Sequence, residues 1–521
     1  MKFENVLAEV NGFGRFQIRT LLLLVIPRMT LPFHFLLNNF ISVIPSHRCN
    51  IRALDDGEIF RNLSLEDKLV ASIPLQSDGS PSSCQMFAEP QYHLLYNSTN
   101  STDLPTIPCQ DGWVYDNSVF KSTLATEWDL VCDKRSVNRV TATIFFMGVM
   151  LGAAVFGYLS DRFGRKGTLL VSYIMTTIFG FASAFSYNFN MFAAMRFFTG
   201  FGISGISIIS IVLCIEWVGI KHRTLVGVLM SLDWSFSTIL LPGVAYFVND
   251  WRYLTATVTS PLLPAIVCWR WLPESARWLI STGKVNSAHF HLTKCAKINR
   301  REEFIADLKP EILSKVILVE DENRKYSYMD LVKTPKMRRL ALLTGIVWFG
   351  VACVYYGISL NVPGFGVDIY LTQFIYAISE IPGKIFIIFF LNKLGRRWTQ
   401  AGTLGFTGLC LFCNIFVPQT RTAFGAAGKM FAEAAFTTVF LYTTELYPTV
   451  MRQNGLGFSS FAARTGVSLS PLVMILEDIK SYLPNIIFIL VACIASVSTS
   501  FLPETLNVRL PETIEDIEQT R

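Results

Sequence analysis

The chain has 521 residues, of which 51% are hydrophobic and only 16% charged, with a net charge of +6. Soluble domains carry about 25% charged residues, so this composition excludes an ordinary soluble enzyme and points to a chain embedded in lipid. The positive charge sits in short clusters beside apolar runs, which excludes the single continuous basic surface that nucleic-acid binding requires.

An apolar window of roughly 20 residues crosses the ~30 Å hydrocarbon core of a bilayer. Twelve such windows follow one another, at 20–44, 139–158, 168–187, 190–213, 225–248, 253–272, 339–360, 369–391, 400–418, 425–445, 455–476 and 484–503. The first is preceded by Arg15 and Arg19 and has no small-residue cleavage pattern. It is too long for a secretory signal and reads as an uncleaved span.

Between the first two spans lies a polar insert, 46–138, with N-x-S/T sequons at Asn62, Asn97 and Asn100. It also holds four of the eleven cysteines, Cys49, Cys84, Cys109 and Cys132. Sequons and cysteines together predict an oxidised, glycosylated extracellular loop. Four cysteines allow two disulfides in any of three pairings. Zinc is the competing reading, but the insert lacks a C-x2-C spacing, so no metal is expected.

The positive-inside rule tests this topology independently. Loops that should be cytoplasmic hold Arg162, Arg165 and Lys166, then Lys221 and Arg223, then Lys393, Arg396 and Arg397, and Arg452. The alternate loops, near 187–190, 249–252, 361–368 and 477–483, hold at most one basic residue each. Both termini are then cytoplasmic. The charged loop 279–338 is expected on the same side, with short amphipathic helices over Ser287–Arg300 and Glu311–Val319.

An internal repeat organises the whole. Asp161-Arg162-Phe163-Gly164-Arg165-Lys166 recurs as Asn392-Lys393-Leu394-Gly395-Arg396-Arg397. Glu216 with Arg223 recurs as Glu445 with Arg452, and Pro273-Glu274-Ser275 as Pro503-Glu504-Thr505, at offsets of 229 to 231 residues. Two parallel six-span halves follow, a construction that places a substrate site between the halves near mid-membrane. The expected divisions are a cytoplasmic N-terminus, 1–19, a first bundle with its extracellular loop, 20–278, and a linker, 279–338. A second bundle, 339–504, and a cytoplasmic tail, 505–521, complete the chain. The fold class is an all-α membrane protein of twelve transmembrane helices in two pseudo-symmetric bundles.

One guanidinium stands out against this plan. Arg464 sits near the middle of the eleventh span, with no acid three or four positions away. A charge at that depth costs between ~2.5 and ~10 kcal/mol unless water or a counter-ion meets it, so it marks a functional site by default.

The segment Gly157-Tyr158-Leu159-Ser160-Asp161-Arg162-Phe163-Gly164-Arg165-Lys166 resembles the loop signature of the major facilitator superfamily. Glu216-Trp217, Pro273-Glu274-Ser275-Ala276-Arg277-Trp278-Leu279 and Glu445-Leu446-Tyr447-Pro448-Thr449-Val450-Met451-Arg452 narrow the likeness. With the insert they resemble solute carrier family 22 over essentially the full length. Gly12-Phe13-Gly14-Arg15-Phe16-Gln17, Gly395 to Leu404, Ala434 to Thr438 and Leu510 to Ile514 look most like its organic anion branch.

That resemblance implies a substrate site of Arg464, Lys384, Tyr355, Tyr356, Trp234 and Phe440. It implies no cofactor, small organic anions as partners, and a plasma-membrane address, basolateral in epithelia. Arginine offers a planar fork for a carboxylate, and aromatic faces stack on drug-like or nucleotide-like ring systems without demanding one shape. Asp233 departs from the branch, since an acid beside Trp234 weakens attraction for anions. The competing structural reading pairs Arg464 permanently with Asp233 or Glu433. Likewise Lys384 has Glu380 at i−4, and Lys429 has Glu433 at i+4, spacings at which neighbours on a helix neutralise each other. Arg196 with Gly200 suggests close helix packing, while Arg28 and His34 are left without assignment.

Asp161, Arg165, Glu216, Arg223, Glu274, Arg396, Glu445 and Arg452 sit at membrane-edge loops, where a network that breaks and re-forms would gate alternating access. No P-loop lysine motif, G-x-S-x-G elbow or H-E-x-x-H occurs, so no catalytic residue and no enzyme activity is expected. Polyspecific, sodium-independent transport of organic anions, by facilitated diffusion or exchange, is the leading expectation. A cation or zwitterion carrier of the same fold and a non-transporting membrane sensor are the alternatives. Membrane lipid is an expected partner, and nucleic acid is not.

Overall fold

The computed structural model describes residues 3–54, 60, 62–76, 79–96, 104–219, 222–301, 310, 313, 328–361, 368–417, 420–448, 451–508, 511 and 514–519. The expected glycosylation sites Asn97 and Asn100 lie outside the described residues, as does all of the expected 311–319 helix except Leu313. The chain forms two compact units. One comprises Met1–Asn39, Arg139–Phe247 and Arg252–Arg521, and the other Phe40–Asn138 with Val248–Trp251.

The first unit is built of helices. α1 (Arg15–Arg28) and α2 (Thr30–Leu36) share the first span. The backbone stays right-handed helical through Met29, with Pro27 inside α1, and the Thr30 hydroxyl donates to the Pro27 carbonyl at 2.6 Å. There follow α3 (Arg135–Phe163), α4 (Arg165–Ala184), α5 (Phe189–Glu216) and α6 (Arg223–Phe247). The window 253–272 is divided around Ser260 and Pro261 into α7 (Trp251–Thr259) and α8 (Leu262–Cys268). Two short amphipathic elements, α9 (Ala276–Ser281) and α10 (Val285–Asn299), precede the second half. That half holds α11 (Pro335–Leu360), α12 (Ile369–Leu394), α13 (Arg396–Phe416), α14 (Arg421–Leu446), α15 (Arg452–Ile475) and α16 (Leu483–Ser500). A last turn-and-a-half, α17 (Ile514–Gln519), follows.

Local chemistry sets several of these starts. The Asn188 side chain accepts from Met191 N–H at 2.8 Å before α5, and Asp368 accepts from Tyr370 and Leu371 before α12. Among the described residues nine helices are long and apolar enough to cross a bilayer. The remaining three expected spans are helical as well, as the divided α7–α8, α13 and α14. Outward-facing Ile385, Phe389 and Phe416 stay exposed, a surface only lipid would cover.

The repeat is legible in the geometry. Gly164 and Gly395 sit at φ +101° and +86°, each just before a helix. A Cβ on Gly164 would lie 2.6 Å from Glu274 Oε2, and one on Gly395 would lie 2.5 Å from Glu504 Oε2. Only glycine tolerates both the backbone and the crowding.

The second unit is small. Strands β1 (His47–Cys49) and β4 (Trp113–Tyr115) pair antiparallel, as do β2 (Gln85–Phe87) and β3 (Thr106–Pro108). Of the three possible disulfide pairings, the one formed is Cys49–Cys109 with Cys84–Cys132. The buried cluster is modest, with Ile51, Leu54, Phe60, Ile73 and Met86. Closing loops of 60 and 48 residues contributes about 4 kcal/mol per disulfide on chain-entropy grounds. Asn62 is exposed.

Candidate functional site

A cavity of about 560 Å³ lies within the helical unit, lined by α1, α2, α3, α5 and α6 from the first half and α11, α12, α14 and α15 from the second. Arg464, Lys384, Tyr355, Tyr356, Trp234 and Phe440 all line it. The structure adds Arg28, Phe35, Phe146, Trp348, Glu433 and Phe436. Helical spacing groups these in retrospect: Arg28, Leu31 and Phe35 fall at i, i+3 and i+7, and Glu433, Phe436 and Phe440 at i, i+3 and i+7.

The aromatic wall is continuous across the two halves. Ring centroids of Phe35 lie 5.7 Å from Trp234 and 6.0 Å from Tyr356, and Phe146 lies 5.4 Å from Tyr356. Tyr355 reaches Phe436 at 5.3 Å, and Trp348 meets Phe440 edge-on at 4.5 Å. Edge-to-face rings of this kind hold one another in place while leaving faces for a ligand. Trp234 Nε1 donates to the Tyr355 hydroxyl at 3.3 Å, which donates to Glu380 Oε1 at 2.8 Å.

The charges are arranged differently from the sequence expectation. Asp233, a candidate partner for Arg464, is held by Arg28 at 3.3 Å. Glu433, the other candidate, is held by Lys384 at 3.2 Å. Pairing along each helix, Glu380 with Lys384 and Lys429 with Glu433, gives way to pairing across helices, because Lys429 meets Glu380 at 3.1 Å. The cause is close packing of α12 on α14. A Cβ on Gly383 would lie 2.8 Å from the Met430 carbonyl, and this crossing brings the two acid–base pairs face to face. Lys384 also donates to Ser235 Oγ at 2.7 Å.

Arg464 donates through Nη1 to Ser460 Oγ, one turn earlier on α15. Among the described residues it has no carboxylate within ion-pairing distance. Arg196, the other buried cation of this kind, stands apart from the cavity. It contacts His34 Nδ1 at 3.0 Å and stacks over Phe145 at 4.4 Å, where a Cβ on Gly200 would strike the Phe145 carbonyl. His34 reaches Thr259 with its other nitrogen at 3.3 Å, so Arg28, His34 and Arg196 each gain a defined setting.

The repeated loop residues assemble within each half. Arg165 meets Asp161 at 3.0 Å and Glu216 at 3.1 Å, while Glu274 accepts the Arg165 and Lys166 N–H groups that open α4. Arg396 meets Glu445 at 3.0 Å, and Glu504 accepts the Arg396 and Arg397 N–H groups that open α13. A carboxylate at a helix N-terminus satisfies orphan donors and complements the dipole. Glu504 was not among the expected gating residues, although the repeat pairs it with Glu274. Arg223 Nε donates to the Val218 carbonyl at 3.4 Å, and Arg452 opens α15.

The cavity runs between two unlike ends. Near the far ends of α11 and α15, Asn39 donates to the Ser359 carbonyl at 2.7 Å and to Gln373 at 3.0 Å. There Arg139 also bonds the Met474 carbonyl and Glu477. In the other direction the lining extends to Cys214, Ile215 and Val226, beside the loop networks.

Comparison with solved structures identifies this arrangement as the major facilitator fold. The inward open conformation of the xylose transporter XylE from E. coli superposes with a TM-score of 0.58, at 19% identity, over 77% of this chain and 92% of that one. XylE bound to 6-bromo-6-deoxy-D-glucose gives 0.57 at 16% identity, over 96% and 98%. The family model "Sugar (and other) transporter" matches residues 91–517. Solute carrier family 22 member 7 of Bos taurus is 44% identical over all of this chain and 96% of its own length, and that of Homo sapiens 43% over the same shares. Member 6 of Oryctolagus cuniculus is 38% identical over all of this chain and 95% of its own. The chain belongs to solute carrier family 22 of the major facilitator superfamily, a family of membrane-spanning transporters and not of enzymes.

Proposed function

We propose that the protein carries organic anions across the plasma membrane by alternating access, independently of sodium, by facilitated diffusion or anion exchange. One observation carries this reading. Arg464 is a cavity-lining guanidinium with no carboxylate partner among the described residues, facing a wall of aromatic rings. A fork of fixed charge suits carboxylates and phosphates, and the rings suit varied apolar bodies, the combination a polyspecific site requires. Beyond one end of the cavity Asn39 and Arg139 bond across the two halves, and at the other the lining extends toward the loop networks. That asymmetry fits one state of an alternating-access cycle, open to the side on which both termini are proposed to lie. The loop networks would then set transport rate rather than substrate choice.

Uptake of a labelled aromatic carboxylate and of a labelled quaternary amine into the same expressing cells tests the reading. Carboxylate uptake that saturates is expected. Amine uptake that survives excess carboxylate would overturn it in favour of a cation or zwitterion carrier. Binding without saturable flux in reconstituted vesicles would make the protein a sensor. Arg464→Lys is expected to reach the surface but to lose about tenfold in carboxylate uptake, because a point charge replaces a two-pronged donor.

A further inference from the structure

Three cations line the cavity, Arg28, Lys384 and Arg464, and two of them already hold a carboxylate. Arg28 holds Asp233, and Lys384 holds Glu433. The Lys429–Glu380 pair is balanced in itself, and Arg196 does not line the cavity. The cavity therefore presents one net positive charge, located at Arg464. A ligand with one negative charge leaves it neutral. A ligand with two brings an uncompensated negative charge into a low-dielectric site, where burying an unpaired ion is strongly disfavoured.

Glu433 differs from Asp233 in one respect that matters. It lines the cavity itself, within reach of whatever occupies the space, whereas on the other side it is Arg28 that faces the space. Glu433 also sits on the same face of α14 as Phe436 and Phe440, so a ligand stacked on those rings lies beside it.

On the reading that the protein transports organic anions, we propose that Glu433 is the residue that restricts it to monoanions. Its carboxylate fills the second cationic subsite, at Lys384, in place of a second carboxylate on the substrate. Arg464 takes the one carboxylate the substrate brings. A dianion must displace Glu433 from Lys384, and the displaced charge then has no partner on the cavity wall among the described residues.

The experiment uses two ligands of nearly equal size that differ by one charge, isophthalate and its monomethyl ester, as inhibitors of labelled benzoate uptake in expressing cells. For the natural protein the monoester is expected to inhibit at least tenfold better than the diacid. Glu433→Gln, which takes the carboxylate away from Lys384, is expected to narrow that ratio by at least tenfold. The double variant Glu433→Gln with Lys384→Gln removes both charges and is expected to recover the natural ratio. Surface labelling of each variant runs alongside. Equal inhibition by the two ligands in the natural protein overturns the proposal, and that measurement needs no variant to fold. A ratio unchanged in Glu433→Gln at normal surface level also overturns it, as does a double variant that behaves like the single one. Absence of benzoate uptake in the natural protein would instead defeat the organic-anion reading on which the proposal rests.

Discussion

In the first half of the bundle Gly164, Arg165, Glu216 and Glu274 make the contacts that Gly395, Arg396, Glu445 and Glu504 make in the second. The arginine–glutamate distances are 3.1 and 3.0 Å, and both capping carboxylates accept the N–H groups of the next helix. Around the cavity each half supplies aromatic rings and one cation–carboxylate pair, but not at positions that the repeat matches. The first contributes Phe35, Phe146, Trp234 and an Arg28–Asp233 pair, and the second contributes Arg464, Tyr355, Tyr356 and the Lys384–Glu433 pair. A tight turn into a membrane helix has few solutions, since a positive-φ glycine, a cap and a buried arginine must all be satisfied together. A ligand-facing side chain has only to present the right surface, so the cavity is where two halves built on one plan are free to differ.

The largest expected effects probe the shared part. Arg165→Met and Arg396→Met each take the guanidinium from a part-buried glutamate, Glu216 or Glu445, although Glu445 keeps the Thr505 hydroxyl at 2.6 Å. Breaking one member of such a pair costs about 3 kcal/mol. Thermal unfolding in detergent should show the two losses to be alike. A marked difference would mean that the loop networks serve different ends in the two halves despite matching geometry.

Gly164→Ala and Gly395→Ala come next. Each places a side chain at positive φ and against the carboxylate 2.6 or 2.5 Å away, and strain of this kind costs about 2 kcal/mol. Gly402→Ala on α13 is the contrasting change, since its added methyl meets nothing within 4 Å. It should be neutral or stabilising by up to ~1 kcal/mol through helix propensity. Melting temperatures of the three variants check both statements.

How much of this was legible in the sequence follows the same division. The spans and the loop repeat were readable because apolar windows and charged turns are local patterns. The repeat also matched Pro-Glu-Ser to Pro-Glu-Thr, yet Glu504 was not counted with Glu274 among the gating residues. The crosswise pairing of Lys384 with Glu433 and Lys429 with Glu380 was not readable. Spacing along one helix reports neighbours on that helix, whereas this exchange depends on how closely α12 meets α14 at Gly383. The cavity aromatics Trp234, Tyr355, Tyr356 and Phe440 were expected from the family resemblance and not from the pattern, and Phe35, Phe146, Trp348 and Phe436 were not expected. In a membrane bundle the lipid face and the cavity face are both apolar, so Phe440, which lines the cavity, and Phe389, which does not, carry the same pattern. Asp233 looked like a rival for Arg464 because it stands beside Trp234, yet Arg28, some 200 positions away in the chain, lies closer in space.

The smallest expected effect on transport asks where the hydroxyl of Tyr355 belongs in this scheme. Its ring is fixed by Tyr356 at 5.1 Å and Phe436 at 5.3 Å, and the Lys429 ammonium lies over its face. Its hydroxyl donates to Glu380 and accepts from Trp234, thereby joining the cavity wall of the first half to the ion pair of the second. Tyr355→Phe keeps the ring and removes only that link. Glu380 retains Lys429 at 3.1 Å, but two hydrogen bonds are lost, one of them to a carboxylate, so the cost should be about 2 kcal/mol of stability. If the hydroxyl serves only to brace the wall, the KM for an aromatic carboxylate should change less than threefold while the melting temperature falls. A KM that rises by tenfold at unchanged stability would instead put the hydroxyl in contact with substrate. Tyr355 would then join Arg464 in taking the charge of the ligand.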